Sequence, residues 1–121
     1  MTPDELRSLC LAFPGAWEDF PFGEKTSVFK VAKKMFALSQ LESRPLRVSA
    51  KCSPDIAADL RATYPSIQPG YNLNNRHWNT ITLDGSVADA TVTTLIEDSY
   101  DLVVAGLPRS ERECLAESGD R

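Results

Sequence analysis

Apolar residues recur at Leu6, Leu9, Cys10 and Phe13, the three-and-four spacing that lines one face of a helix. Thr2 suits the N-cap, Pro3 the first helical position, and Asp4 and Glu5 the positive end of the dipole. Pro14-Gly15 ends that first helix. From Trp17 to Lys51 the pattern changes to strands. Thr26 to Val31 and Lys34 to Leu41 predict a hairpin about Ala32-Lys33, with Val31 facing Lys34, Phe29 facing Phe36 and Ser27 facing Leu38. This register makes one face apolar and leaves Thr26, Val28, Lys30, Met35, Ala37 and Ser39 on the other. Leu46, Val48 and Ala50 alternate inward while Arg47, Ser49 and Lys51 point out.

Ser53 and Pro54 open a second helix running to about Thr63, and Pro65, Pro69 and Gly70 prevent its continuation. Tyr71 to His77 is polar and asparagine-rich, a loop or strand tip. Trp78 to Leu83 alternates again, with Ile81 and Leu83 on one face and Trp78, Thr80 and Thr82 on the other. Asp84-Gly85 is a turn, and Ser86 is the expected cap of a last long helix with its stripe at Val92, Leu95, Ile96, Val103 and Leu107. The order of helix, strands, helix, strands, helix predicts an α+β fold, a mainly antiparallel sheet with helices packed on one face. The length of 121 residues fits one domain, here 1–108, followed by a polar, flexible tail over 109–121.

Composition refines this picture in two places. The three cysteines, Cys10, Cys52 and Cys114, form no CxxC pair, and His77 is the single histidine. A Cys/His metal site is therefore not expected, and no cofactor is implied. The N-terminus lacks the apolar core of a signal peptide and no apolar run approaches the ~20 residues of a membrane span, so a cytoplasmic protein without a membrane partner is expected. The net charge of −4 is unevenly distributed: −3 over residues 1–23, +5 over 24–76 and −6 over 77–121. The strand-rich middle is basic.

Lys30, Arg47 and Lys51 fall on the solvent side of their strands, and Trp78 on the same side of its own. Lys33 lies in the hairpin turn, and Arg76 and His77 in the asparagine-rich segment. Such a face can contact phosphate and stack on a flat ring, the combination that single-strand and groove binders use. The alternative is a solvated sheet face with Trp78 half-buried. Catalytic chemistry has little to work with, since His77 alone could serve a nucleophile triad and no P-loop or HExxH pattern occurs. No catalytic residue is assigned.

The motifs Phe20-Pro21-Phe22-Gly23, Lys34-Met35-Phe36-Ala37, Lys51-Cys52-Ser53-Pro54, Pro69-Gly70-Tyr71, His77-Trp78-Asn79 and Leu83-Asp84-Gly85, followed by Ser99-Tyr100-Asp101-Leu102-Val103-Val104, resemble in order and spacing the MmcQ/YjbR family over residues 2–108. The resemblance implies a CyaY-like, double-wing arrangement and a DNA-binding role. For some relatives it implies instead the sequestration of planar, intercalator-like natural products in a groove. The frataxin-like fold raises iron binding only as a minor alternative, since Asp4, Glu5, Glu18 and Asp19 are sparse. Two departures bear on function. Ala32-Lys33 stands where the family often has glycine before Lys34, and Asn72 and Asn75 stand where histidine and lysine are common.

Two binding modes follow as expectations. For DNA, Lys30, Lys33, Arg47, Lys51 and Arg76 would meet phosphate and Trp78 a base or sugar. For a planar aromatic small molecule, Trp78 and Tyr71 would stack, with Asn72, Asn74, Asn75 and Asn79 supplying hydrogen bonds. His77 carries a remote enzymatic alternative.

Overall fold

The structure, a computed structural model, describes residues 1–70 and 73–119, the last four as backbone. Ten elements follow in order: α1 (Pro3–Leu11), β1 (Ala16–Asp19), β2 (Ser27–Val31), β3 (Lys34–Ser39), β4 (Arg47–Lys51), α2 (Pro54–Thr63), β5 (Ile67–Pro69), β6 (Trp78–Thr82), α3 (Asp89–Ala105) and α4 (Arg109–Gly119). The strands form one antiparallel sheet in the order β1-β2-β3-β4-β6-β5. The α+β expectation therefore holds. α1 begins as its sequence requires: Thr2 and Glu5 form a reciprocal capping box over Pro3.

The hairpin differs from its expected register. Val31 pairs with Lys34 and Lys30 with Met35, but Phe29 then pairs with Ala37, Val28 with Leu38 and Ser27 with Ser39. One extra residue, Phe36, is accommodated on β3 as a bulge, which shifts every later pair by one. The bulge lets both Phe36 and Ala37 enter the core, where each is fully buried. Val28 and Ser39, also expected on the solvent side, are buried as well. The two-residue turn places Ala32 at φ 53°, the left-handed conformation that glycine adopts more readily.

The bulge has a second consequence. β3 and β4 pair only at Ala37↔Ala50 and Leu38↔Ser49. Beyond that point the Phe36 carbonyl and the Lys51 amide turn to Ser99 of α3. The Ser99 hydroxyl donates to Phe36 O (2.5 Å) and accepts from Lys51 N–H (2.8 Å). Next to it, Tyr100 stacks on Phe13 at 4.8 Å, meets Phe36 edge-on at 5.3 Å, and donates its hydroxyl to Pro14 O. These contacts seat α3 on β2, β3 and β4, whereas α2 sits on β5 and β6.

Two further expectations are corrected. Ser86 does not cap α3; Ala88 occupies that position, and the Ser86 N–H and hydroxyl both donate to Asp84. Ile67–Pro69, where the prolines prevent continued helix, forms a short edge strand, since proline is tolerated at a sheet edge. Residues 109–119 are helix α4 rather than a frayed tail, held by Leu115 packing against the core.

Two stability outcomes test this account. Ser99→Ala leaves a buried N–H and a buried C=O without partners and should cost about 2–4 kcal/mol in urea unfolding. Ala32→Gly relieves the left-handed strain and should raise stability by about 0.5–1 kcal/mol in the same measurement.

Candidate functional site

The helix-free face of the sheet carries Arg47 opposite Thr82 and Ser49 opposite Thr80, while Lys51 and Trp78 pair at the end of these strands, beside the end of α3. It does not gather the expected basic residues into one surface. Lys30 is bound to Asp19 at 2.7 Å and lies over the Trp17 ring at 5.3 Å. That hydrogen bond, chiefly, holds the Asp19 carboxyl below its ordinary range. Arg47 and Lys51 are four residues apart on β4, about 13 Å at ~3.3 Å per residue, and they line different clefts. Arg47 borders a hydroxyl-rich cleft with Leu38, Ser49, Gln68, Thr80 and Thr82. Lys51 borders a smaller one of about 290 Å³ with Lys34, Met35, Trp78 and the end of α3. Lys33 is exposed in the hairpin turn.

Trp78, expected as an open stacking wall, is only 7% exposed. Gly70 pairs closely with its backbone: the Gly70 N–H donates to Trp78 O, and a Cβ on Gly70 would be 2.9 Å from the Trp78 Cβ. Tyr71 and Asn72 fall outside the described residues. The remaining asparagines build the loop. Asn74 accepts from the backbone N–H groups of His77 and Trp78 through its carbonyl, and from Arg76 N–H through its side chain. Oriented to satisfy both its atoms, the Asn75 amide donates to the Gly70 and Leu73 carbonyls. Arg76 is exposed, and His77 is half-buried with its carbonyl accepting from Cys52 N–H. Among the described residues no hydrogen bond reaches the His77 imidazole, and no three His, Cys, Asp or Glu side chains are placed to hold a metal ion.

An apolar cleft lies on the other face, between the two helices that sit on different strands. Its volume is about 400 Å³. Ala50, Ile67 and Ile81 floor it, Ile56 and Leu60 of α2 form one wall, and Leu95 and Leu102 of α3 the other. Asp98, Asp101 and Lys51 stand at its margin. Asn79 is buried in the floor with its amide fully used: it donates to Ala57 O at 3.2 Å and accepts from Arg61 at 2.8 Å. Arg61 also donates to Asn75 O, tying α2 to the asparagine-rich loop. The residues were legible in part. Ile56 and Leu60 are i,i+4 on α2, and Ile56 and Leu102 remain 52% and 42% exposed, large apolar groups left uncovered beside a concavity.

Comparison with known proteins agrees with this fold. A family model described as YjbR matches residues 11–102. The chain belongs to the YjbR family. It is 37% identical to the uncharacterized protein YjbR of Escherichia coli K12 over 97% of this chain and 99% of that one. It is 34% identical to the uncharacterized protein YbdF of E. coli O157:H7 over 91% and 90%. Among solved structures, the Deinococcus radiodurans protein DR2400, described with a DUF419 domain, superposes with a TM-score of 0.89 at 43% identity, over 95% of this chain and 88% of that one. A Pseudomonas syringae protein gives 0.73 at 25% identity, over 84% and 98%. Among the described residues of this YjbR-family chain, no helix is long and apolar enough to cross a membrane.

The cleft also sets the state of its thiol. Burial pushes the Cys52 thiol up; Arg61 opposes this and Asp98 adds to it. Burial, with a smaller contribution from Glu18, pushes Cys10 up to about 12. Cys114 is exposed. A raised pKa keeps a thiol protonated and unreactive at neutral pH. An aromatic disulfide reagent at pH 8 should therefore label Cys114 quickly in the folded protein, and Cys10 and Cys52 only after urea unfolding. Fast release of three equivalents from folded protein would contradict the burial.

Proposed function

We propose that this protein is a non-enzymatic binder that holds a planar aromatic, intercalator-like small molecule in the cleft between α2 and α3. The carrying observation is the cleft itself. At about 400 Å³ with an aliphatic floor and walls, it has the size and lining of a small-molecule site. Burial of a flat apolar surface there is driven by release of that surface from water, at about 25 cal/mol per Å². The family resemblance supports the same reading, since it includes proteins thought to sequester such molecules.

The competing reading is DNA. Three observations favour the small molecule. Lys30 already has a carboxylate partner. Trp78 is buried rather than open. Asp98 and Asp101 outnumber Lys51 at the margin of the apolar cleft, and this net negative charge repels phosphate and attracts a cationic ring system.

Titration with ethidium, a planar cation, tests this reading through the dye's fluorescence. A saturable rise is expected, weakened at least tenfold by Leu102→Lys, which adds a cation at an exposed position of the wall. A labelled duplex at low salt should give no signal. No ethidium response, together with salt-sensitive duplex binding, would replace this reading with DNA binding.

A further inference from the structure

The helix-free face of the sheet holds a second cleft, of about 530 Å³, with a more polar lining than the first. Its centre is one row across four strands, Leu38, Ser49, Thr80 and Gln68, with Arg47 and Thr82 two residues along their strands. No Asp or Glu lines it. Among the described residues the Arg47 guanidinium makes no ion pair and no hydrogen bond, so its charge and its donors face an uncommitted space.

The hydroxyls sharpen the preference. Ser49 and Thr80 share one hydrogen bond of 2.8 Å between their oxygens. Two hydroxyls carry two protons, and that bond uses one. No other acceptor for either hydroxyl occurs among the described residues. One O–H therefore remains to donate, beside an arginine whose planar fork suits an oxyanion. Thr82 and Gln68 add polar groups that can both donate and accept. Leu38 supplies an apolar patch on the floor, enough for the C–H face of a sugar-like chain.

The geometry points to a binding site for a small polyhydroxylated molecule carrying one oxyanion, either a phosphate or a carboxylate, held by Arg47 and the Ser49–Thr80 pair. The oxyanion meets the guanidinium, and the ligand's hydroxyls exchange hydrogen bonds with the serine and threonine row. This site is separate from the α2–α3 cleft and does not depend on what occupies that cleft.

Calorimetric titration of the full chain with glucose 6-phosphate, gluconate and neutral glucose tests the assignment. Binding of at least one of the two anionic polyols is expected, and which one binds identifies the oxyanion. Glucose should bind at least tenfold more weakly. Arg47→Gln, an exposed position, should weaken the anionic ligand at least tenfold with an unchanged melting temperature. Thr80→Val, which removes the paired hydroxyl, should weaken it severalfold. Leu102→Lys, on the opposite face, should leave it unchanged. The assignment is overturned if neither anion binds, if glucose binds as tightly, or if Arg47→Gln binds as tightly as the parent.

Discussion

A single buried hydroxyl holds the architecture together at the point where the sheet would otherwise open. The Phe36 bulge brings two adjacent residues of β3 into the core, at the expense of the β3–β4 ladder beyond Ala37↔Ala50. That leaves one backbone acceptor and one donor in a region where water cannot replace the lost bonds. Ser99, itself fully buried, satisfies both. Because an unpaired buried polar group costs about 1–3 kcal/mol, the bond also fixes where α3 can lie. α3 must keep Ser99 over the gap between β3 and β4, and Tyr100 among Phe13, Phe36 and Pro14.

A second buried polar side chain places the other helix. Asn79 of β6 bonds to Ala57 O and Arg61 of α2, so α2 is pinned over β5 and β6. The cleft follows from these two attachments. Helices anchored by hydrogen bonds to different strands cannot slide together to cover Ala50 and Ile81 between them. Polar groups thus keep an apolar space open, which packing alone would tend to close. The opposite face has no helix, and its polarity is set by strand alternation: Arg47, Ser49, Thr80 and Thr82 point outward because Val48 and Ile81 point inward. The net charge of −4 conceals this division, with an arginine among neutral hydroxyls on one face and two aspartates beside an apolar cleft on the other.

Much of the fold was legible from period and punctuation. The capping box at Thr2, the inward Val48 and Ala50, and the outward Thr80 and Thr82 all follow from local rules. The bulge was not, because Phe36 and Ala37 satisfy a strict alternation equally well and only three-dimensional packing selects the extra residue. α4 was missed because its helix is polar and is held by Leu115, a long-range contact with no local signature. The basic residues were located correctly on the strands, but pairing is not a one-dimensional property. Nothing in the sequence says that Asp19 lies beside Lys30 or that Trp78 is buried. The α2–α3 cleft is a property of two helices and the strands beneath them, and Ile56 and Leu102 hinted at it only as apolar residues off the main stripes.

We propose that this family member binds through the space between its helices rather than through the asparagine-rich loop. Amide chemical-shift mapping of the labelled protein during addition of a planar cationic dye tests it most directly. The account predicts shifts concentrated at Ala50, Cys52, Ile56, Asn79 and Leu102. Shifts confined to Asn74–Trp78 and Lys33, with the cleft residues unmoved, would contradict it.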